Sequence, residues 1–128
     1  MTQTEAKTLV GAEPREIADA IVKVLDDKSA RDIKLLRVND KTVVTDYFVI
    51  CTANSTTQVK SLAGEIEFKL GEMGLSPAHV EGYDGSTWIA MDYLHVIVHI
   101  FHRDQREFYK LEKVWADAED IPLALTEK

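Results

Sequence analysis

Three histidines, His95, His99 and His102, fall within eight residues and are the first side chains in this chain that could hold a metal ion. On a helix, two histidines four residues apart can share one zinc. The residues between His95 and His99, Val96-Ile97-Val98, are β-branched and favour a strand instead. On a strand the two share a face but stand about 13 Å apart. A zinc ion needs each nitrogen at about 2 Å, so this pair cannot chelate one ion, and His102 falls on the opposite face. The expectation is no metal site, with His99 partly buried and hydrogen-bonded.

Other chemistries find no better support. Nucleotidyl transfer needs closely spaced carboxylates that hold magnesium against a triphosphate, and no D-x-D occurs. Asn54-Ser55 could seat a phosphate at a helix N-terminus, but a helix cap is the simpler use. Gly82 and Gly85 do not open a helix as a phosphate loop requires. Cys51 closes an apolar run and reads as a buried, inert thiol. Glu65, Glu67 and Glu72, interspersed with Lys60 and Lys69, read as a solvated helix face. No catalytic residue and no cofactor are expected.

The two tryptophans are more informative. Trp115 continues a helical apolar stripe and reads as core. Trp88 starts a strand after a loop containing Gly and Ser, where an aromatic ring can sit at a rim and anchor a partner. Met91, Asp92, Tyr93, Leu94 and His95 follow it along one hairpin. Together with Trp88 they form the candidate partner-binding set, an apolar tip suited to docking.

The elements that would position these residues follow from hydrophobic spacing. Pro14 begins a helical pattern in which Ile17, Ala20, Ile21, Val24 and Leu25 recur. Ile33 to Val38 reads as a strand, and Asn39-Asp40-Lys41 as a turn. Tyr47–Cys51 is continuously apolar, which suits a strand covered on both faces. A second helix carries Val59, Leu62, Ala63, Ile66, Phe68, Leu70 and Met73 on its apolar side, and Gly74 ends it. Val80–Tyr83 reads as a short strand. Trp88–Tyr93 and Val96–His102 read as two more, joined by a tight turn near Leu94. A last helix from about Asp104 to Ala116 would bury Phe108, Leu111, Val114 and Trp115. The order predicts an α+β fold, a mixed sheet flanked by helices. Residues 1–13 read as a flexible N-terminal tail, 14–116 as the domain and 117–128 as a polar C-terminal tail.

Composition bounds what such a domain can bind. The 128 residues suit one domain, and a 45% hydrophobic content can supply a core without metal or disulfide staples. One cysteine cannot form an internal disulfide, which fits a reducing compartment. No apolar run is long enough for a membrane span, and no secretory signal or transit pattern opens the chain. A cytoplasmic location is expected. The net charge of −7 argues against nonspecific binding to bare nucleic acid, which relies on Lys and Arg. It allows steering toward a basic protein surface.

Four segments in register carry a family resemblance: DYFVICTANSTTQVK at 46–60, EGYDGSTWIAMD at 81–92, VIVHIFH at 96–102 and REFYKLEKVW at 106–115. Together they resemble the Iojap-like ribosomal silencing factors over roughly residues 14–116. The resemblance implies a small protein, dimeric when free, with a fold related to nucleotidyltransferases but without their active site. It implies binding to a large-subunit ribosomal protein at the intersubunit face, the fourteenth in the standard naming. Occupying that surface would block joining of the small subunit and repress translation. The family tryptophan that precedes I/V in the Gly-containing segment matches Trp88, with Gly85 three residues before it. Many members carry Gly-Asp at the turn before the V-x-V-H strand, where this chain has Leu94-His95. A role in large-subunit assembly, or a degenerate nucleotidyltransferase activity, are the alternatives.

Overall fold

The structure, a computed structural model, describes residues 8–40, 42, 45–82, 85, 87–104, 118–123 and 125. Helix α1 spans Pro14–Asp27, with proline in its first turn, where no intrahelical donor is lost. The Glu16 carboxylate accepts the Glu13 N–H at 3.0 Å. Ile17, Ala18, Ile21, Val22, Val24 and Leu25 form its buried stripe.

Helix α2 spans Thr56–Glu72. Ser55 Oγ accepts the Gln58 N–H at 3.0 Å, and Gln58 Oε1 accepts the Asn54 N–H at 2.7 Å. The Asn54-Ser55 pair is thus spent on a reciprocal cap. At the other end Gly74 takes φ +88°, while Leu75 N–H reaches the Leu70 carbonyl and Gly74 N–H that of Gly71. This double closure needs a left-handed residue, which glycine supplies without strain. Val59, Leu62, Ala63, Ile66 and Leu70 are buried. Phe68, expected on that apolar side, is instead 59% exposed. At 100° per residue it lies opposite the centre of the buried stripe.

Six strands were found among the described residues: β1 Arg31–Arg37, β2 Tyr47–Ala53, β3 His79–Glu81, β4 Trp88–Asp92, β5 Val96–His102 and β6 Glu119–Asp120. They form one sheet in the order β3-β4-β5-β2-β1-β6. Only the central β2–β5 pair is parallel; the others are antiparallel. The continuous apolar run therefore is the central strand that sequence required, buried from Phe48 to Ala53. The α+β expectation holds, and a mixed sheet of this order is compatible with kinship to nucleotidyltransferases.

The two sheet faces differ. One packs against both helices: Leu35, Val49, Cys51, Ile89, Met91, Tyr93, Val96, Val98 and Ile100 join the stripes of α1 and α2 in the larger core. The other holds a smaller cluster of Leu36, Val38, Phe48, Ile50 and Phe101, with Trp88, Ile97 and Ala118 partly buried against it.

The folded unit also reaches beyond residues 14–116. Leu9 is 3% exposed, and its N–H bonds the Met73 carbonyl at 2.8 Å. Strand β6 pairs with β1, and Ile121 is buried against the core. The assumed tails contain these anchors because their apolar stretches, Leu9-Val10 and residues 121–125, are too short to set a helix or strand period. The expected last helix, from about Asp104 to Ala116 with Phe108, Leu111, Val114 and Trp115, lies beyond Asp104 outside the described residues. No helix among the described residues is long and apolar enough to cross a membrane.

Candidate docking surface

The β4–β5 hairpin carries every candidate residue, and its pleat divides them. Successive side chains of a strand point to opposite faces. Met91 and Tyr93 turn toward the helices, where they are 0% and 4% exposed. They are core and offer no surface to a partner, which corrects the expectation for both. The Tyr93 hydroxyl is buried without a hydrogen-bond partner among the described residues. Burial, and then the Glu67 carboxylate, push its pKa well above the usual tyrosine value.

Trp88, Ala90 and Asp92 point to the other face, and all three are half-buried. Ile97 lies directly across from Asp92 and is also half-buried. Trp88 stacks on Phe101, its cross-strand partner, at 4.9 Å between centroids. Its Nε1–H donates to His99 Nδ1 at 3.1 Å. His99 is buried, with Phe48 edge-on at 5.1 Å. Desolvation lowers its pKa from 6.5 to about 4, so the ring is neutral near pH 7. An Nδ1 that accepts a hydrogen bond places the ring proton on Nε2.

Gly82 fixes the entry to β4. Its φ is +88°, and a Cβ there would overlap the Trp88 carbonyl oxygen. Both the backbone conformation and the close approach require glycine.

The hairpin turns through Leu94-His95. Tyr93 N–H bonds the Val96 carbonyl at 2.9 Å, closing a two-residue loop. Such loops demand positive φ at the first central residue, usually glycine or asparagine. Leu94 occupies it at φ +75° and is 61% exposed. A left-handed leucine costs on the order of 1–2 kcal/mol. Asp92 Oδ1 supports the turn by accepting the Leu94 N–H at 2.7 Å. His95 Nδ1 lies 2.9 Å from Asp46 Oδ2, and the His95 carbonyl accepts from Asp46 N–H and Tyr47 N–H. The tip is thus clamped to the start of β2.

Trp88, Asp92, Leu94 and His95 therefore border accessible surface. Ala90, Ile97 and Asp46 belong to the same region and are absent from the set expected from sequence, while His99 is buried and hydrogen-bonded as expected, though it was not placed beside Trp88. Alternation at period two from Trp88 was the available signal for Ala90 and against Met91. The partner roles of Asp46 and His99 depend on strand register, which a single sequence leaves open.

A groove of about 630 Å³ between α1 and α2 is lined, among the described residues, by Leu9, Ala20, Val24 and Met73 with charged residues around them. No group of three or more metal-ligating side chains was found among the described residues.

A family model described as ribosomal silencing factor during starvation matches residues 11–128. The chain belongs to the ribosomal silencing factor family. A ribosomal silencing factor of Bacillus subtilis is 44% identical over 99 residues, covering 77% of this chain and 81% of that protein. A mouse protein named mitochondrial assembly of ribosomal large subunit protein 1 is 31% identical over 100 residues, covering 76% of this chain and 44% of its own length. A crystal structure from Chromobacterium violaceum superposes with a TM-score of 0.79 at 27% identity, over 91% of this chain and 94% of that one. Relatives named Iojap, from maize and Arabidopsis, match as well, in agreement with the resemblance read from the four segments. Family membership makes this a protein of translational regulation and gives the half-exposed stripe on β4 a context.

Proposed function

We propose that this silencing factor docks on the large ribosomal subunit through the β4–β5 hairpin and blocks joining of the small subunit, repressing translation. Its immediate partner is the fourteenth large-subunit protein, at the intersubunit face. Trp88, Ala90, Asp92 and Ile97 form the contact stripe, and Leu94 and His95 its tip. The mechanism is occupancy: one ribosomal surface cannot hold both this factor and the small subunit. No bond is made or broken, so the protein acts without catalysis, metal or cofactor. It works in the cytoplasm and is a homodimer when free.

The observation that carries this reading is Leu94. A large apolar side chain is presented to solvent at a left-handed backbone angle that the fold does not need a leucine to make. Strain held in place by a clamped turn points to a use for that side chain. The alternating stripe adds an aromatic anchor of the kind that dominates interfaces. Asp92 and Asp46 at the margin suit a basic ribosomal protein.

A second reading, that the same surface serves large-subunit assembly, draws on the name of the mouse relative. Sedimentation of a cell lysate through a sucrose gradient tests the shared premise. The protein should travel with free large subunits and be absent from joined ribosomes. Migration only with small soluble proteins at low salt contradicts both readings. Depletion separates them. Loss of silencing leaves large-subunit levels intact and raises joining under starvation, whereas loss of assembly lowers the amount of mature large subunit.

A further inference from the structure

We propose that His99 is a positioning residue for docking: its Nδ1 holds the Trp88 indole at one orientation on the contact stripe. The inference rests on the docking role of Trp88 and extends it to a side chain that a partner does not touch.

A half-buried tryptophan needs apolar contact for its ring and an acceptor for its N–H. Its ring has large apolar area but a single donor, Nε1–H, which must find an acceptor when removed from water. Here that donor meets His99 Nδ1 at 3.1 Å, from two strands that are hydrogen-bonded neighbours. The indole also stacks on Phe101 at 25° between planes. Stacking sets the ring's height over the sheet. A directional hydrogen bond at one edge adds a direction within that plane and sends the opposite, six-membered edge away from His99. Interfaces gain affinity when anchors are ordered before binding, since less rotamer entropy is lost.

His99 is itself fixed. Phe48 meets it edge-on at 5.1 Å, Phe101 lies 6.2 Å away at 18° between planes, and the residue is 9% exposed. Burial disfavours its protonation, which would convert Nδ1 into a donor and set it against the indole N–H. An apolar residue would suit Phe48, Phe101 and the register partner Ile50 at least as well for packing alone. A histidine beside these three is explained by the acceptor it supplies.

The test uses the full chain, purified bacterial large subunits and four variants. Asparagine places its Oδ1 where histidine has Nδ1, so His99→Asn keeps an acceptor; His99→Leu removes it. Trp88→Phe keeps a stacking ring without the donor, and Trp88→Ala removes the anchor. The indole N–H resonance of Trp88, assigned by its loss in Trp88→Phe, reports the bond directly in a two-dimensional nitrogen–proton spectrum. In His99→Leu this resonance should move upfield, and affinity for large subunits should fall about tenfold. His99→Asn should recover most of both. The double variant His99→Leu/Trp88→Phe should bind no more weakly than either single variant, because one bond is lost in all three.

An unmoved indole resonance in His99→Leu overturns the proposal. So does a moved resonance with unchanged binding while Trp88→Ala binds poorly, which leaves docking at Trp88 intact. If Trp88→Ala binds as wild type, the docking reading itself fails. Should His99→Leu not fold, Trp88→Phe and His99→Asn decide the matter: Trp88→Phe must weaken binding and His99→Asn must keep it.

Discussion

Leu94 holds an unfavourable backbone angle in full view of solvent, and the cost can be measured. Glycine at that position relieves left-handed strain while adding freedom to the unfolded chain. The balance should leave Leu94→Gly more stable by up to about 1 kcal/mol, read as a rise of a few degrees in a thermal melt. Binding to large subunits should weaken at the same time, since the apolar tip is gone. A variant that melts lower, or that binds as wild type, would remove the functional reading of the strain. His99 carries a second residue-scale prediction. Its folded pKa of about 4 lies below the usual 6.5. Between those values the unfolded chain binds the extra proton, so stability is fully present above about pH 6.5 and is lost as pH falls toward 4. The loss attributable to His99 should reach about 3 kcal/mol. Denaturant titrations across this range should show that slope in the wild type and a shallower one in His99→Leu.

At the scale of elements, the hairpin depends on what precedes it. Gly82→Ala would drive a Cβ into the Trp88 carbonyl and force a residue with a side chain to φ +88°. It should cost about 2 kcal/mol or more of stability and displace the start of β4, so binding falls along with the melting temperature. Phe68→Ser on the outer face of α2 should change stability by less than about 0.5 kcal/mol. A large loss there would show that the exposed ring is held by something other than solvent.

These two elements also mark how far the sequence could be read. Tyr47–Cys51 announced a central strand because no polar residue interrupts it, and Gly74 announced the end of α2 because helices close through a left-handed residue. Phe68 misled because an apolar residue within a helical stretch is counted into the stripe unless its angular position, here the opposite face, is checked. Met91 and Tyr93 misled for a related reason: the hairpin was treated as one patch, although a strand gives alternate residues to opposite faces. Leu9, Ile121 and the two-residue β6 left no periodic trace. The Trp88–His99 and His95–Asp46 bonds lay beyond reach, since each depends on strand register across the sheet.

For the whole molecule, the balance of −7 and the acidic margin of the hairpin bear on how a basic partner is met. Rim charges chiefly set association rate and its salt sensitivity, and screening acts over about 8–10 Å near physiological ionic strength. Binding should weaken with salt mainly through slower association, without being abolished by moderate amounts. An association rate indifferent to salt would contradict the electrostatic part of the account.

The most direct test of the central claim is subunit joining. Purified large and small subunits are mixed with wild-type protein or Trp88→Ala, and the joined fraction is read by light scattering or gradient sedimentation. Trp88 is half-buried at the first position of β4, so the variant should remain folded by thermal melt, with some loss of stability. Its affinity for large subunits should fall by about 2–4 kcal/mol, roughly 30- to 1000-fold. The wild type should hold the subunits apart at concentrations where Trp88→Ala lets them join. A folded Trp88→Ala that blocks joining at the wild-type concentration would contradict docking through this hairpin.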